Sequence, residues 1–401
     1  MKKFKTRIML LLAALVSVLY FTSDFSLIDI QKTAIIVALG IDKIEDQFEV
    51  TVQIAIPQAT DQTAANDDST ISTFGKTVYE AIDNIGTQTG WAPKLAFCDL
   101  ILFGRSMTEE NVMPVVDYIV ASRRIQNSAV LAACEGSAKE ILLSVTALDA
   151  ISAFAIQKIL LKKTLSADNV INTDVRRFAS TQLSDAKTSY IPLIKTKKTD
   201  DKGKESGSSS SQMASTGGSS GGSEEDSGSG GENKNVVFDA TETAVFVNGK
   251  TVCTLSPEET KVFCMIRKPV EESFLIIDAG EGKKLISING KRSKIGVSFN
   301  EKPTLNLSLT LSAEIIDGAK TPSLTNMTDR TNVSTEELAS ASEKVTDILN
   351  GMLDKLKEAN ADIFGAKENV YKFHHSRYES VKDLHLKNFD YSVNVAFKSE
   401  E

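Results

Sequence analysis

Residues 8–21 are an apolar run of 14 positions, with Ser17 its one small polar residue, behind Lys2, Lys3, Lys5 and Arg7. A basic start followed by such a run is the pattern of an exported chain. As a helix it would be about 21 Å long, short of a bilayer core of about 30 Å. Length therefore favours a signal peptide over a full span. The small residues that a cut site needs at −3 and −1 are missing, because ending at Thr22, Ser23 or Ser26 puts Tyr20, Phe21 or Asp24 at −3. Two outcomes stay open: a cleaved signal with a poor cut site, and an uncleaved signal-anchor with its basic end in the cytoplasm. The second is the expectation carried forward, and both leave the bulk of the chain outside the cytoplasm.

Beyond this run the periodicity changes element by element. Residues 33–39 read as a buried strand closed by Gly40-Ile41-Asp42. Phe48, Val50, Val52, Ile54 and Ile56 then alternate with polar partners, which predicts a half-buried strand, and 61–69 reads as a polar loop. Val78, Ala81, Ile82 and Ile85 fall at helical spacing. A strand is expected over 94–103. A helix capped by Thr108, with Glu109 and Glu110 in its first turn, should run to about Arg123. A strand over 128–134 and a capping box at Ser137–Glu140 follow.

Strands are predicted at 189–195, 236–247, 273–278, 284–289, 294–299 and 304–316, and a last one at 389–397. Leu305, Leu307, Leu309 and Leu311 alternate with polar residues, so one face packs and the other is wet. Ser256-Pro257-Glu258-Glu259 and Ser334–Glu337 are helix starts. The second opens a long helix that ends or bends near Gly365. Alternating strands and helices predict an α/β (mixed α+β) architecture of two or three domains, with mixed sheets flanked by helices.

Residues 202–232 are Ser/Gly-rich and cannot bury a core. They read either as a boundary between domains or as a long loop between two strands. The chain parses as 1–29 (signal peptide or signal-anchor and tether), 30–198 (N-terminal α/β region, with room for two subdomains), 199–235 (linker or loop) and 236–401 (C-terminal α/β domain).

Composition narrows the function. The chain has 401 residues, 41% hydrophobic and 24% charged, ordinary for a packed protein. A net charge of −8, with no Lys/Arg stripe beyond the first residues, argues against a nucleic-acid binder. Four cysteines lack CxxC spacing: Cys98 and Cys134 read as buried structural thiols, and Cys253 and Cys264 lie near and within a helix. An exported chain would permit disulfides. His374, His375 and His385 do not form a convergent ligand set, and an i,i+4 surface pair accounts for His375 and Glu379. Hydrolase, zincin and P-loop motifs are missing. The expectation is a protein without catalytic, metal or cofactor-binding residues. The two loops singled out as possible contact points, Gly40–Asp42 and Arg123-Arg124, also have plain structural readings: a turn glycine and cations at a helix C-terminus.

Four stretches, KTAIIVALGIDKIEDQFEVTVQI, VVDYIVASRRIQNSAVLAACEGSAKEIL, TAVFVNGKTVCTLSPEETKVFCMIR and ADIFGAKENVYKF, occur in an order that resembles the Ger(x)C family, the C subunits of spore nutrient-germinant receptors. The resemblance spans roughly residues 30–397. It implies a non-catalytic α/β subunit on the outer face of the spore inner membrane or cell membrane, assembling with integral membrane A- and B-type subunits. Direct nutrient binding is left open, and the resemblance does not say which nutrient is sensed. The other reading is an extracytoplasmic solute-binding or envelope protein of the same fold. The chain departs from the family pattern at its lipobox. The expected cysteine, Trp and acidic residue would fall near Asp24, Phe25 and Ser26, so a lipid thioether cannot form there. An uncut segment 8–21 would have to replace the acyl anchor, or the partner subunits would have to retain the chain.

Overall fold

The computed structural model describes residues 2–22, 33–55, 69–146, 149, 151–161, 169–198, 236–268, 272–279, 282–317 and 333–399. The predicted loop at 61–69 (except Ser69), the residue Ile56 and the Ser/Gly-rich stretch lie outside them. The first element, α1 (Lys2–Thr22), extends the apolar run at both ends into a helix of 21 residues. Among the described residues no helix is long and apolar enough to cross a membrane.

The larger sheet has nine strands. At its centre β1 (Thr33–Ile44), β5 (Leu100–Phe103), β6 (Val130–Cys134) and β7 (Thr188–Lys198) run parallel. On one side β2 (Gln47–Ile54) and β3 (Thr70–Gly75) extend it antiparallel, while β4 (Ala92–Lys94) pairs with the first residues of β1. On the other side β8 (Val236–Val247) and β9 (Lys250–Leu255) complete it, also antiparallel. The strands on either side of 199–235 are thus neighbours in one sheet, with Lys198 opposite Val236.

A parallel sheet needs cover on both faces. Here α2 (Val78–Thr89), α4 (Met113–Ser122) and α7 (Val175–Gln182) cover one, and α5 (Ala138–Leu143) and α6 (Ser152–Leu160) the other. A bulge between Ile36 and Ala38 shifts the alternation of β1, so Ile36, Leu39 and Ile41 share one face.

The second sheet is β10 (Ser273–Ala279), β11 (Gly282–Phe299), β12 (Pro303–Asp317) and β13 (Asp390–Ser399), with only the last pair parallel. α8 (Pro257–Arg267) and α9 (Thr335–Ala359) both open on full capping boxes, as their sequences predict. The buried stripe of α9, including Val345, Leu349, Met352 and Leu356, packs against β13 and β10 and shares one apolar core with the leucine face of β12. One apolar core joins this layer to the first sheet: Tyr190 of β7, Phe263 of α8 and Phe364 stack edge to face at 4.9 and 5.6 Å.

Several expectations are corrected. β1 continues through Gly40-Ile41-Asp42 to Ile44, and the turn falls at Glu45, whose φ is 52°. The polar face of β2 is covered rather than wet, because each side chain finds a partner. Glu49 pairs with Lys139 at 2.5 Å, Thr51 with Ser72 at 2.8 Å, and Gln53 accepts from Ala153 N at 2.9 Å. The strand expected over 94–103 breaks into β4, a 3-10 turn (Leu95–Phe97) and β5. Thr108 ends the short helix α3 (Arg105–Thr108) instead of opening a longer one. Pro114, which suits only a first turn, moves that start to Met113. The strands predicted at 284–289 and 294–299 are one strand with an irregularity between Ile288 and Gly290. α9 stops at Ala359 because Asn360 takes a left-handed φ of 54°. Gly365 begins the next helix, α10 (Ala366–Phe373), which is followed by α11 (His375–Val381).

Candidate functional site

Two of the motifs are each built around a buried aspartate that caps a helix, Asp42 from a distance and Asp362 from four residues ahead. Asp42, at the end of β1, accepts hydrogen bonds from Ser137 Oγ (2.9 Å), Ala138 N (3.0 Å) and Lys139 N (3.0 Å). It therefore occupies the N-terminus of α5, where unpaired N–H groups and the helix dipole favour a carboxylate. Ser137 caps Lys139 N at 3.1 Å, but the predicted reciprocal bond from Glu140 is not among the contacts of this cap. Gly40 serves close approach rather than a turn, since a Cβ there would sit 3.0 Å from Leu142 and 3.2 Å from Ala138 of α5. Gly104 is held more tightly still, because a Cβ there would lie 1.7 Å from Asp42 Oδ1.

Asp362 repeats the arrangement in the ADIFGAK motif. Its carboxylate accepts from Ala366 N (2.8 Å) and Lys367 N (2.9 Å) at the start of α10, and its own N–H donates to Thr188 Oγ1 of β7 at 3.2 Å. Burial pushes its pKa up, against the pull of those two N–H groups. Arg267 donates to the Ile363 carbonyl beside it. Both carboxylates are engaged by the N–H groups at a helix start, Asp42 also by the Ser137 hydroxyl, which is structural work.

The other flagged residues are placed separately. Arg123 is the left-handed C-cap of α4 (φ 54°), and Arg124 is exposed next to it. All four cysteines are free thiols. Burial raises the pKa of Cys98 to about 12 and of Cys253 to about 11, and lifts Cys134 well above the usual thiol value. His374 sits between α10 and α11 with its ring edge-on to Phe299 at 5.2 Å, and His375 stacks with Tyr378. His385 lies outside this cluster and caps a 3-10 turn. Among the described residues no three His, Cys, Asp or Glu side chains converge as a metal site.

One concavity among the described residues is not revealed by periodicity. Below Ile288, β10 no longer pairs with β11, so the edge of β11 over 290–299 is open. Asn369 of α10 fills part of it in the manner of a strand: its Oδ1 accepts from Val297 N at 3.1 Å, and its Nδ2 donates to Ile295 O at 3.4 Å. Beside this contact lies an open groove of about 500 Å³ lined by Lys294, Gly296, Asn306, Ser308, Phe373 and His374, among others. Its lining offers one cation, amide and hydroxyl groups and an exposed aromatic wall, with no carboxylate. Such a set can hold a small polar molecule or a chain segment by hydrogen bonds and ring contacts. In the sequence His374 is weighed as a metal ligand and rejected, Asn306 and Ser308 are polar positions of an alternating strand, and Phe373 closes the ADIFGAKENVYKF motif. Nothing in the sequence places them around one groove, and only the fold brings them together.

Comparison with known proteins gives the context. Residues 27–196 match the model of the spore germination protein N-terminal domain, and residues 241–400 match that of the spore germination B3/GerAC-like C-terminal domain. The first match ends in β7 and the second begins inside β8, so the larger sheet draws strands from both. No curated protein matches the chain. A crystal structure of the GerBC protein is similar over 90% of this chain and 97% of that one, with a TM-score of 0.53 and 16% identity, which shows a shared fold. With both domain models matched in order and this architecture beneath them, the chain belongs to the Ger(x)C family of spore germination proteins.

Proposed function

We propose that this protein is the C-type subunit of a spore germinant receptor, lying outside the cytoplasm and acting by assembly rather than by catalysis. In this reading α1 stays on the chain as an uncut attachment to the membrane. The body would associate with the integral A- and B-type subunits at the outer face of the membrane and relay nutrient detection into germination. The observation that carries the reading is the ordered match of both germination domains over 27–196 and 241–400, directly after a basic-then-apolar helix. The chemistry agrees with it: the buried aspartates are spent on helix caps, and Cys98, Cys134 and Cys253 have raised pKa values.

The test is affinity purification of the full chain from spore membranes, together with nutrient-triggered germination of a deletion strain. Recovery of multi-span receptor subunits and a germination defect specific to one nutrient set support the reading. A chain found freely soluble in the cytosol, or germination unchanged under every nutrient tried, would overturn it. The groove beside Asn369 favours a second reading, direct binding of a small polar solute. Saturable binding of an amino acid or sugar that is lost in Asn369→Ala would support it.

A further inference from the structure

We infer that one end of the larger sheet, where its parallel strands begin, faces the bilayer and touches anionic phospholipid headgroups. This rests on the reading that α1 attaches the chain to a membrane. In a parallel run all segments leading into the strands lie at the same end. The chain passes from Thr22 of α1 to Thr33 of β1 through ten residues, which can span at most about 35 Å. The start of β1 therefore stays close to whatever α1 is attached to.

The surface beside that start has the composition of a membrane interface. β4 pairs Ala92 with Thr33, which sets Trp91 next to the entry point. Trp91, the only tryptophan of the chain, is 48% exposed, and Phe97 on the following turn is 54% exposed. Large aromatics left in water at one end of a sheet suit the headgroup level. Gln126 Nε2 donates to Ala96 O at 2.8 Å, which fastens the loop carrying Arg123 and Arg124 against the same turn. Lys94, Arg123 and Arg124 are exposed, and none has an ion-pair partner among the described residues. Arg124 neighbours the Tyr118 hydroxyl.

Acidic groups at this end include Asp99, Asp174, which Arg176 approaches at 3.6 Å, and Asp185, which shares Lys382 with Glu379 and Asp383. The opposite end carries Glu45, Asp46, Glu80, Glu109, Glu110, Glu135 and Glu140 against Lys43, Lys76, Arg105, Lys139 and Lys195. In a chain of net charge −8 the sheet is thus polarised, and its basic, aromatic end is the one the tether reaches. Anionic lipid complements that end and repels the other.

Trp91 makes the test direct, because all tryptophan emission comes from this surface. The full chain is reconstituted into phosphatidylcholine vesicles with and without phosphatidylglycerol. Flotation reports attachment, and quenching by lipids carrying a spin label at headgroup depth reports contact. The expected result is flotation in both, with Trp91 quenched in the anionic vesicles and shielded there from iodide. Each basic group should shift the docked population about fivefold. Lys94→Gln should therefore weaken quenching by that factor, and Arg123→Gln with Arg124→Gln by about 25-fold, with flotation unchanged. A chain that floats while Trp91 stays unquenched and open to iodide overturns the proposed face and leaves attachment through α1 standing. A chain that does not float overturns both. Quenching that is indifferent to lipid charge and to these variants overturns the headgroup contact.

Discussion

Replacing Asp42 and Gly104 together tests whether the capping of α5 by a distant carboxylate is what holds the GID motif in place. Asp42→Ala removes the acceptor of three hydrogen bonds. Lys139 N keeps Ser137 Oγ at 3.1 Å, but the fully buried Ala138 loses its N–H partner. A buried donor left unpaired costs about 1–3 kcal/mol, and loss of a helix cap about 1 kcal/mol, so the single change should cost about 3 kcal/mol. Gly104→Ala should cost a similar amount by another route. Its Cβ would stand 1.7 Å from Oδ1 and 2.8 Å from Cγ of Asp42, so the carboxylate has to leave. Once Asp42 is already alanine, the new methyl meets Ala138 N at 3.1 Å as its nearest remaining neighbour. The second substitution should then add only about 1 kcal/mol. The double variant is expected near 4 rather than 6 kcal/mol, a coupling of about 2 kcal/mol. Urea denaturation of the detergent-solubilised full chain, with hydrogen exchange of residues 138–143 as a local readout, measures it. Costs that add to within about 0.5 kcal/mol would show that Gly104 is not there to admit the Asp42 carboxylate.

Other outcomes follow from the same contacts. Asp362→Ala should destabilise by about 2–3 kcal/mol and raise exchange in α10, while the Thr188 contact, made by the backbone N–H of residue 362, is retained; hydrogen-exchange mass spectrometry resolves both segments. For acid stability, burial pushes the Asp239 carboxyl up but its bonds to Lys197 and Thr241 outweigh this and hold it at about 2, and Lys284 holds Glu337 below its ordinary value. Both lowered values mean stability present above the unfolded pKa of about 4 and lost as pH falls toward 2; Asp239→Asn should flatten that loss in a pH series of urea midpoints. Asp362, held above the ordinary range, acts in the opposite sense, and its contribution falls as pH rises through its folded pKa. Cys98 and Cys134 should resist iodoacetamide in the folded chain at neutral pH and react on unfolding, as mass spectrometry will read. Membrane association should survive replacement of all four cysteines, since none stands in a lipobox; flotation of the cysteine-free chain checks this.

The chain's local chemistry settled much of this protein without reference to the fold. The capping boxes at Ser256 and Ser334, the leucine alternation of β12 and the apolar spacing of α2 are written within a few residues of themselves, and the structure builds them where they stand. Helix starts and one-sided strands are local devices, decided by backbone hydrogen bonds and by which side chains avoid water. The tertiary structure decided the rest, because the partners are far apart in sequence. Glu49, Thr51 and Gln53 read as a wet face until α5, β3 and α6 arrive to satisfy them, and no period of two can announce that. Asp42 becomes a helix cap only by meeting residues 95 to 97 positions away, and Gly104 is required only because that carboxylate passes it. The groove at Asn369 exists because β10 stops short of an edge that α10 then covers, a matter of strand lengths and not of any motif. Burial and register are properties of two surfaces meeting, so a single stretch of sequence can specify only its own half of them.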